Sequence, residues 1–266
     1  MLEGAMRDKI KAVFFDIDGT LVSFRTHQVP ESAVEAIKQL RANGIKVFIA
    51  TGRLLKYTGV VSHIEVDGYI TVNGGYCLTS DGETIFEQAF SKQTVDRVFE
   101  LEREYGFSAA VMTHEGMFVE KLEGTAKQVA DMINIYPEVA DLDQIRETQH
   151  VLQMCPYIDS ELEAEIMPKL PECVASRWTG IFMDINPRGV DKSLGARHVM
   201  EYYGLTMDEA MAFGDGGNDL PLVRDVALGV VMGNACDELK QAADYVSLSV
   251  DEDGVCHALR YYGLID

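Results

Sequence analysis

The first apolar stretch of the chain runs unbroken through Ala12, Val13, Phe14 and Phe15 and ends on Asp16-Ile17-Asp18-Gly19-Thr20. Such a run, closed by carboxylates and a glycine, predicts a buried strand over Lys11–Asp18 that delivers its last side chains into a site. Between Pro30 and Asn43 the rhythm changes. Val34, Ile37 and Leu40 recur at helical spacing, Pro30 suits a first turn and Gly44 a stop, so this segment predicts a helix. Lys46–Ala50 is apolar again and reads as a second strand. Strand, helix and strand of these lengths make a βαβ unit, which implies a parallel sheet. Tyr69–Val72 predicts a third strand, ending in Asn73-Gly74-Gly75. After residue 187 the same grammar returns, with a helix over Ser193–Tyr203 and strands over Met211–Phe213, Leu228–Met232 and Tyr245–Leu248.

Between these two parts the order of elements is different. Helices are expected over Thr94–Tyr105, Gly124–Tyr136 and Ser160–Leu170. Strands are expected over Phe107–Met112, Met117–Leu122 and Val151–Pro156, with a hairpin of Cys173–Trp178 and Ile181–Ile185 about Thr179-Gly180. Mixed α+β order with antiparallel hairpins predicts a separate domain inserted into the first. The expected architecture is α/β: a Rossmann-like parallel core from residues 1–84 and 188–266, and an α+β insert over residues 85–187.

Composition narrows the partners. With 266 residues, 47% hydrophobic and 25% charged, the chain is long enough for proper cores in one large or two moderate domains. Its formal net charge of −20 repels nucleic acid and anionic membranes, so neither is expected as a partner. An anionic substrate would need a local positive site. The five cysteines form no CxxC pair, so neither a zinc site nor a disulfide framework is indicated, and a reducing cytoplasm fits. Met1–Ile10 is polar and predicts no signal peptide; Met6 is an alternative start, with Met1–Ala5 an extension. No apolar run approaches the roughly 20 residues of a membrane span.

Candidate chemistry collects at the ends of the core strands, where ligands bind in open parallel sheets. Asp16 and Asp18 are two apart, so on an extended strand both face one way. Two close carboxylates are costly unless one is protonated or a cation sits between them, and Mg2+, a hard ion, suits that position. If the bend at Gly19 turns Asp18 away from the metal, it is free for acid–base work. Thr51 offers a hydroxyl just past the second strand, and Gly52 admits the backbone of a phosphate-binding turn. Lys192 falls in the first turn of its helix, where a cation is disfavoured unless an anion joins it. Gly214-Asp215-Gly216-Gly217-Asn218-Asp219 sets two carboxylates and an amide in a glycine-rich loop after a strand, which suits a hard cation. His114, His150 and Trp178 read as structural more readily than as ligand contacts. His63 and His198 have no metal-ligand spacing.

These motifs, in this order, resemble those of the haloacid dehalogenase (HAD) superfamily of phosphatases. Asp16-Ile17-Asp18-Gly19-Thr20 is similar to its DxDGT motif, Thr51 to its second, Lys192 to its third, and Gly214–Asp219 to its GDxxND motif. Thr51-Gly52-Arg53, Asn73-Gly74 and Asp253-Gly254 resemble the Cof-type branch, subclass IIB, in which a cap domain is inserted between the Thr and Lys motifs. The resemblance implies that Asp16 is the nucleophile, Asp18 the general acid and base, and Asp16, Asp18, Asp215 and Asp219 the Mg2+ site. It further implies that Thr51, Gly52, Arg53, Asn73, Lys192 and Asn218 bind phosphate or substrate. The implied activity is Mg2+-dependent hydrolysis of small phosphate monoesters, sugar phosphates among them, through an aspartyl-phosphate. The implied partner is a small phosphorylated metabolite, and the implied assembly a monomer or weak homodimer. A sugar phosphomutase or phosphotransferase would keep the same core. A non-catalytic binding module should have lost one of the four aspartates, and all four are present.

Overall fold

A computed structural model describes residues 8–177 and 179–266. The described residues divide into two compact units, the first comprising residues 8–53, 58–86 and 191–266, the second residues 54–57 and 87–190. The expectations for Trp178 and for the Met1–Ala5 extension lie outside the described residues.

The first unit is built on one eight-stranded sheet. Its strands are β1 (Ala12–Phe15), β2 (Lys46–Ala50), β3 (Gly68–Thr71), β4 (Tyr76–Thr79), β5 (Thr84–Glu87), β12 (Ala210–Gly214), β13 (Leu228–Val231) and β14 (Tyr245–Val246), numbered along the whole chain. Their order is β14-β13-β12-β1-β2-β3-β4-β5. From β14 to β3 all neighbours are parallel. β4 returns antiparallel on β3, pairing Gly68 with Thr79. The chain builds outward from β1 in one direction, then comes back to build from its other edge, so β1 and β12 flank the switch point of the sheet.

The unbroken apolar run of β1 reflects burial on both faces, as in other parallel sheets. Val13 and Phe15 enter one core, with Val47, Ile49, Met211 and Phe213 and with Ile37 and Leu40 of helix α1 (Glu31–Ala42). Ala12 and Phe14 enter the other, with Phe48, Ala50 and Ala212 and with Ala196, Val199 and Met200 of helix α6 (Lys192–Tyr202). The phenylalanines stack along each layer: Phe15 on Phe213 at 4.9 Å and Phe14 on Phe48 at 5.2 Å between ring centroids.

The first strand is shorter than the sequence pattern predicts, stopping at Phe15 rather than Asp18. The antiparallel strands β4 and β5 were not anticipated. The turn from β3 into β4 runs through Val72, Asn73 and Gly74, all at positive φ, and a β-branched residue there carries no turn signature. Gly74 is required: a Cβ on it would lie 2.0 Å from the carbonyl oxygen of Asp191.

The second unit holds a six-stranded sheet in the order β10-β11-β9-β6-β7-β8. Its strands are β6 (Ala109–Met112), β7 (Met117–Val119), β8 (Glu138–Val139), β9 (Gln153–Pro156), β10 (Cys173–Ser176) and β11 (Asp184–Pro187). Neighbours are antiparallel except β7 and β8. The expected hairpin is present as β10 and β11, with a longer loop than two residues at its tip. Val111, Met154 and Ile185 face an apolar core with Val95, Val98 and Phe99 of helix α2 (Lys92–Tyr105). Gln153, Cys155, Asp184 and Asn186, out of step with those apolar positions, form a buried polar network instead. Asn186 donates to Gln153 at 3.1 Å and Cys155 Sγ to Asp184 at 3.1 Å.

Candidate active site

Asp16 follows β1 directly. Its N–H donates to the carbonyl of Phe213 at 3.1 Å, so the ladder carries one residue past the strand and then releases the chain. The chain turns at once: Val22 N–H bonds back to Ile17 at 2.7 Å and Gly19 N–H to Val22 at 2.9 Å. Gly19 has φ +84°, and a Cβ there would sit 2.0 Å from Asp215 Oδ2, so only glycine allows the two loops to meet.

At the start of α6, Asp191 caps the helix by accepting from Leu194 N–H at 2.8 Å. Lys192, the first helical residue, is fully buried (0% exposed). Its Nζ donates to Asp16 Oδ1 and to Asp219 Oδ1, each at 2.6 Å. Asp219 Oδ2 in turn accepts the N–H groups of Asp215 at 3.0 Å and Gly216 at 2.9 Å, which fixes the glycine-rich loop after β12. Asp215 accepts from Thr20 Oγ1 at 3.0 Å and from Asn234 Nδ2 at 3.2 Å. Oxygens of Asp16, Asp215 and Asp219 all lie within 4.8 Å of one another.

The electrostatics of this centre are unbalanced. Burial pushes the Asp16 carboxyl well above its ordinary value; Lys192 pulls it back, while Asp219, Asp215 and Asp18 push it further up. Burial likewise raises Asp215 to about 7, with Asp219 adding to the rise and the Thr20 hydroxyl opposing it. Burial works against a charged Lys192, but Asp16 and Asp219 overcome it and hold the ammonium above the ordinary lysine range. Three carboxylates against one ammonium leave two negative charges, which a divalent cation would balance. The donors are all carboxylate oxygens, the ligand type that Mg2+ prefers. The triad therefore fits a divalent metal.

Asp18 does not belong to the triad. Because pairing stops at Phe15 and the chain turns, the two-residue alternation of a strand does not reach it. Both its oxygens are taken by Arg53, with Nε donating to Oδ2 at 2.8 Å and Nη2 to Oδ1 at 2.6 Å. Its side chain thus lies outside the carboxylate triad, while its expected parts in metal binding and in acid–base work stay expectations.

Thr51 is buried past β2. Its N–H donates to Ile70 at 2.8 Å, and its hydroxyl oxygen accepts Arg53 N–H at 3.1 Å, leaving the hydroxyl proton to donate. Asn218 Nδ2 donates to Asn73 Oδ1 at 2.9 Å, and the same Asn73 oxygen lies 3.1 Å from where a Cβ on Gly52 would be. Gly52, Asn73 and Asn218 are thus brought together beside Thr51. Outside this group, His114 and His150 both pair with Glu87, at 3.2 and 3.0 Å, and His198 stacks on Phe86. Two residues escaped the sequence reading. Thr20 sits inside the first motif and was given no role. Asn234 also donates to the Gly19 carbonyl, at 2.9 Å, tying the two aspartate loops together, and no local pattern marks it.

A mostly parallel sheet with three carboxylates and a buried lysine at its switch point defines the class as an α/β enzyme whose oxygen ligands fit a divalent metal. A family model described as haloacid dehalogenase-like hydrolase matches residues 13–259, and the chain belongs to that family as a phosphatase of its superfamily. It is 31% identical over 264 residues to YkrA of Bacillus subtilis (strain 168), covering 96% of this chain and 98% of that one. It is 27% identical over 257 residues to the HMP-PP phosphatase of Yersinia enterocolitica, with 93% of each chain covered. Among solved structures, the phosphatase BT1666 of Bacteroides thetaiotaomicron is 38% identical with a TM-score of 0.92 and 96% of each chain covered. The subclass IIB sugar phosphatase BT4131 is 36% identical with a TM-score of 0.89, covering 96% of this chain and 100% of that one. Among the described residues, no helix is long and apolar enough to cross a membrane.

Proposed function

We propose that the protein hydrolyses phosphate monoesters of small sugars through an aspartyl-phosphate on Asp16. The observation that carries this reading is the buried ion cluster of Asp16, Lys192 and Asp219 beside Asp215. A phosphate dianion repels an attacking carboxylate, so positive charge must already stand at the site. Asp16, Asp215 and Asp219 would hold Mg2+, which when bound neutralises the charge on the transferring group.

The chain's own groups do the rest. An oxygen of Asp16 attacks phosphorus as the bond to the leaving oxygen breaks. Asp18 gives its proton to that oxygen, so an alcohol departs rather than an alkoxide. Asp18 then takes a proton from water, the water oxygen attacks phosphorus, and the Asp16–phosphorus bond breaks to free inorganic phosphate. Lys192 orients Asp16 and offsets its charge through both half-reactions. The Thr51 hydroxyl and the amide of Asn218 would donate to phosphoryl oxygens. These groups recognise only what every phosphate monoester shares, so the choice of alcohol is left to the insert over residues 85–187.

The sugar assignment is supported by the likeness to BT4131, whose substrates are sugar phosphates, whereas the HMP-PP phosphatases name a different substrate. Phosphate release from a panel of sugar phosphates, nucleotides and HMP-PP with Mg2+ tests it, with Asp16→Asn as the control. Preference for a sugar phosphate, abolished in Asp16→Asn, is expected. Turnover by folded Asp16→Asn would remove the nucleophile, and preference for HMP-PP would remove the sugar class. Transfer that requires a sugar bisphosphate would point to a mutase.

A further inference from the structure

The ion pair of Arg53 with Asp18 has no part in holding metal or phosphate in the reading above. Arg53 is unusually well fixed for a partly exposed arginine. Its N–H donates to the Thr51 hydroxyl oxygen at 3.1 Å, and its carbonyl accepts Val72 N–H at 3.0 Å. The backbone is therefore tied to the same loop that carries Thr51. From that anchor the guanidinium reaches across to the turn after β1 and grips both Asp18 oxygens, at 2.8 and 2.6 Å. The guanidinium fork matches a carboxylate in shape, and a two-point contact fixes orientation where a lysine would only supply charge. The Asp18 backbone is pinned by a β-bridge to Val22, but its side chain is 39% exposed.

We propose that Arg53 is a positioning residue for proton transfer to the leaving oxygen: its fork sets the Asp18 carboxyl at the one place from which it can protonate the departing alcohol. This rests on the assignment of Asp18 as the acid. Before transfer one of the two bonds opens and the freed oxygen takes up a proton from solvent, which it gives to the leaving oxygen as the phosphorus–oxygen bond breaks. The other bond stays closed as the pivot. The contribution is geometric. Without the fork, Asp18 samples rotamers that leave the alcohol to depart as a costly alkoxide.

The test exploits the leaving group. An aryl phosphate with an acidic phenol departs without help, whereas an alkyl phosphate needs the proton. The readout is kcat/KM, which reports only steps up to departure of the leaving group and so excludes the later use of Asp18 as base. Wild type, Asp18→Asn, Arg53→Ala and Arg53→Lys are each assayed with an alkyl and an aryl phosphate. General acid catalysis contributes about 10²–10⁴-fold, so Asp18→Asn should lose about that factor on the alkyl ester and far less on the aryl ester. Arg53→Ala should show the same selective loss at a smaller size, about tenfold or more, with KM for the aryl ester little changed. Arg53→Lys should lie nearer to Arg53→Ala than to wild type, because lysine keeps the charge but not the fork. The alkyl-to-aryl ratio is taken within one preparation, so partial misfolding cannot mimic it. Equal loss on both esters in Arg53→Ala, or full rescue by Arg53→Lys, would show that Arg53 acts as a charge on the phosphate and would overturn the inference while leaving Asp18 in place. Equal loss on both esters in Asp18→Asn would remove the acid assignment, and the positioning role with it.

Discussion

Two ion networks meet near the end of β1, and they are built on opposite principles. Around Lys192 the charges are buried and out of balance: one ammonium, fully enclosed, faces two carboxylates, with a third nearby. Around Arg53 the charges are partly open to water and matched one to one, with the arginine side chain 21% and Asp18 39% exposed. A buried charge with too little compensation raises the energy of the empty site and prepares it for a cation and an anion. A half-exposed matched pair adds little stability, but it fixes a side chain in direction. On the mechanism proposed above, the contrast separates a centre for holding the phosphoryl group from one for moving a proton.

The contrast can be broken most severely at Lys192. Lys192→Ala leaves Asp16 and Asp219 buried without their cation. It should cost about 3–5 kcal/mol of stability as well as nearly all activity. Urea unfolding monitored by circular dichroism checks this, and an unchanged midpoint would show that the cluster is better hydrated than its burial implies. The next largest effect comes from relieving the imbalance. Mg2+ should raise the melting temperature of wild type, with the stabilisation reaching about 2.7 kcal/mol at a hundredfold excess over the dissociation constant. In Asp215→Asn the same titration should give a much smaller shift, since a ligand charge is lost; equal shifts would move the metal elsewhere. At the exposed network the expected change in stability is small. Arg53→Ala should cost less than about 1 kcal/mol in the same unfolding experiment, so its effect on alkyl phosphates would appear in a protein of near-normal stability.

The smallest effect sharpens the comparison from the second unit, where the burial of a carboxylate outweighs the cation beside it, Arg103. Burial pushes Glu102 up to about 7, opposed by the N–H of Ala109, which donates to it at 3.2 Å, and aided by Glu120. Its folded pKa thus lies above its unfolded one, so ionisation works against the fold. Stability attributable to this group is present at low pH and is lost as pH rises through about 7. Glu102→Gln should therefore melt like wild type in acid and slightly higher than wild type at pH 8. A melting series across pH would refute the assignment if the two curves stayed parallel.

Much of the site could be read from residues alone because each motif is local. Asp16, Thr51 and Asp215 stand at the ends of apolar runs and Lys192 at the start of a helix, and the βαβ order brings strand ends to one edge of the sheet. What escaped was set by partners distant in sequence. The guanidinium of Arg53 holds the Asp18 carboxylate outside the triad, and a two-residue spacing is silent on that. Asn234 ties the loops of Gly19 and Asp215 from a segment with no motif of its own. In the second unit, the network of Gln153, Cys155, Asp184 and Asn186 breaks the alternation expected of a half-buried strand, because polar groups bonded to one another can be buried as apolar ones are.

The place of β1 in the sheet also bears on how the molecule is made. Ala12 pairs with Lys46 on one side and with Ala210 on the other. During synthesis the first partner follows within a few dozen residues, but the second emerges only after the whole insert has been translated. Until then one edge of the most apolar strand in the core has an open row of backbone donors and acceptors, a template for wrong pairing. The nascent chain thus carries Asp16 on an unfinished sheet, and the ribosome must deliver β12 before the strand that leads to Asp16 is closed. Slow translation through the insert should lengthen that exposure and increase aggregation, with no change in the stability of the finished protein.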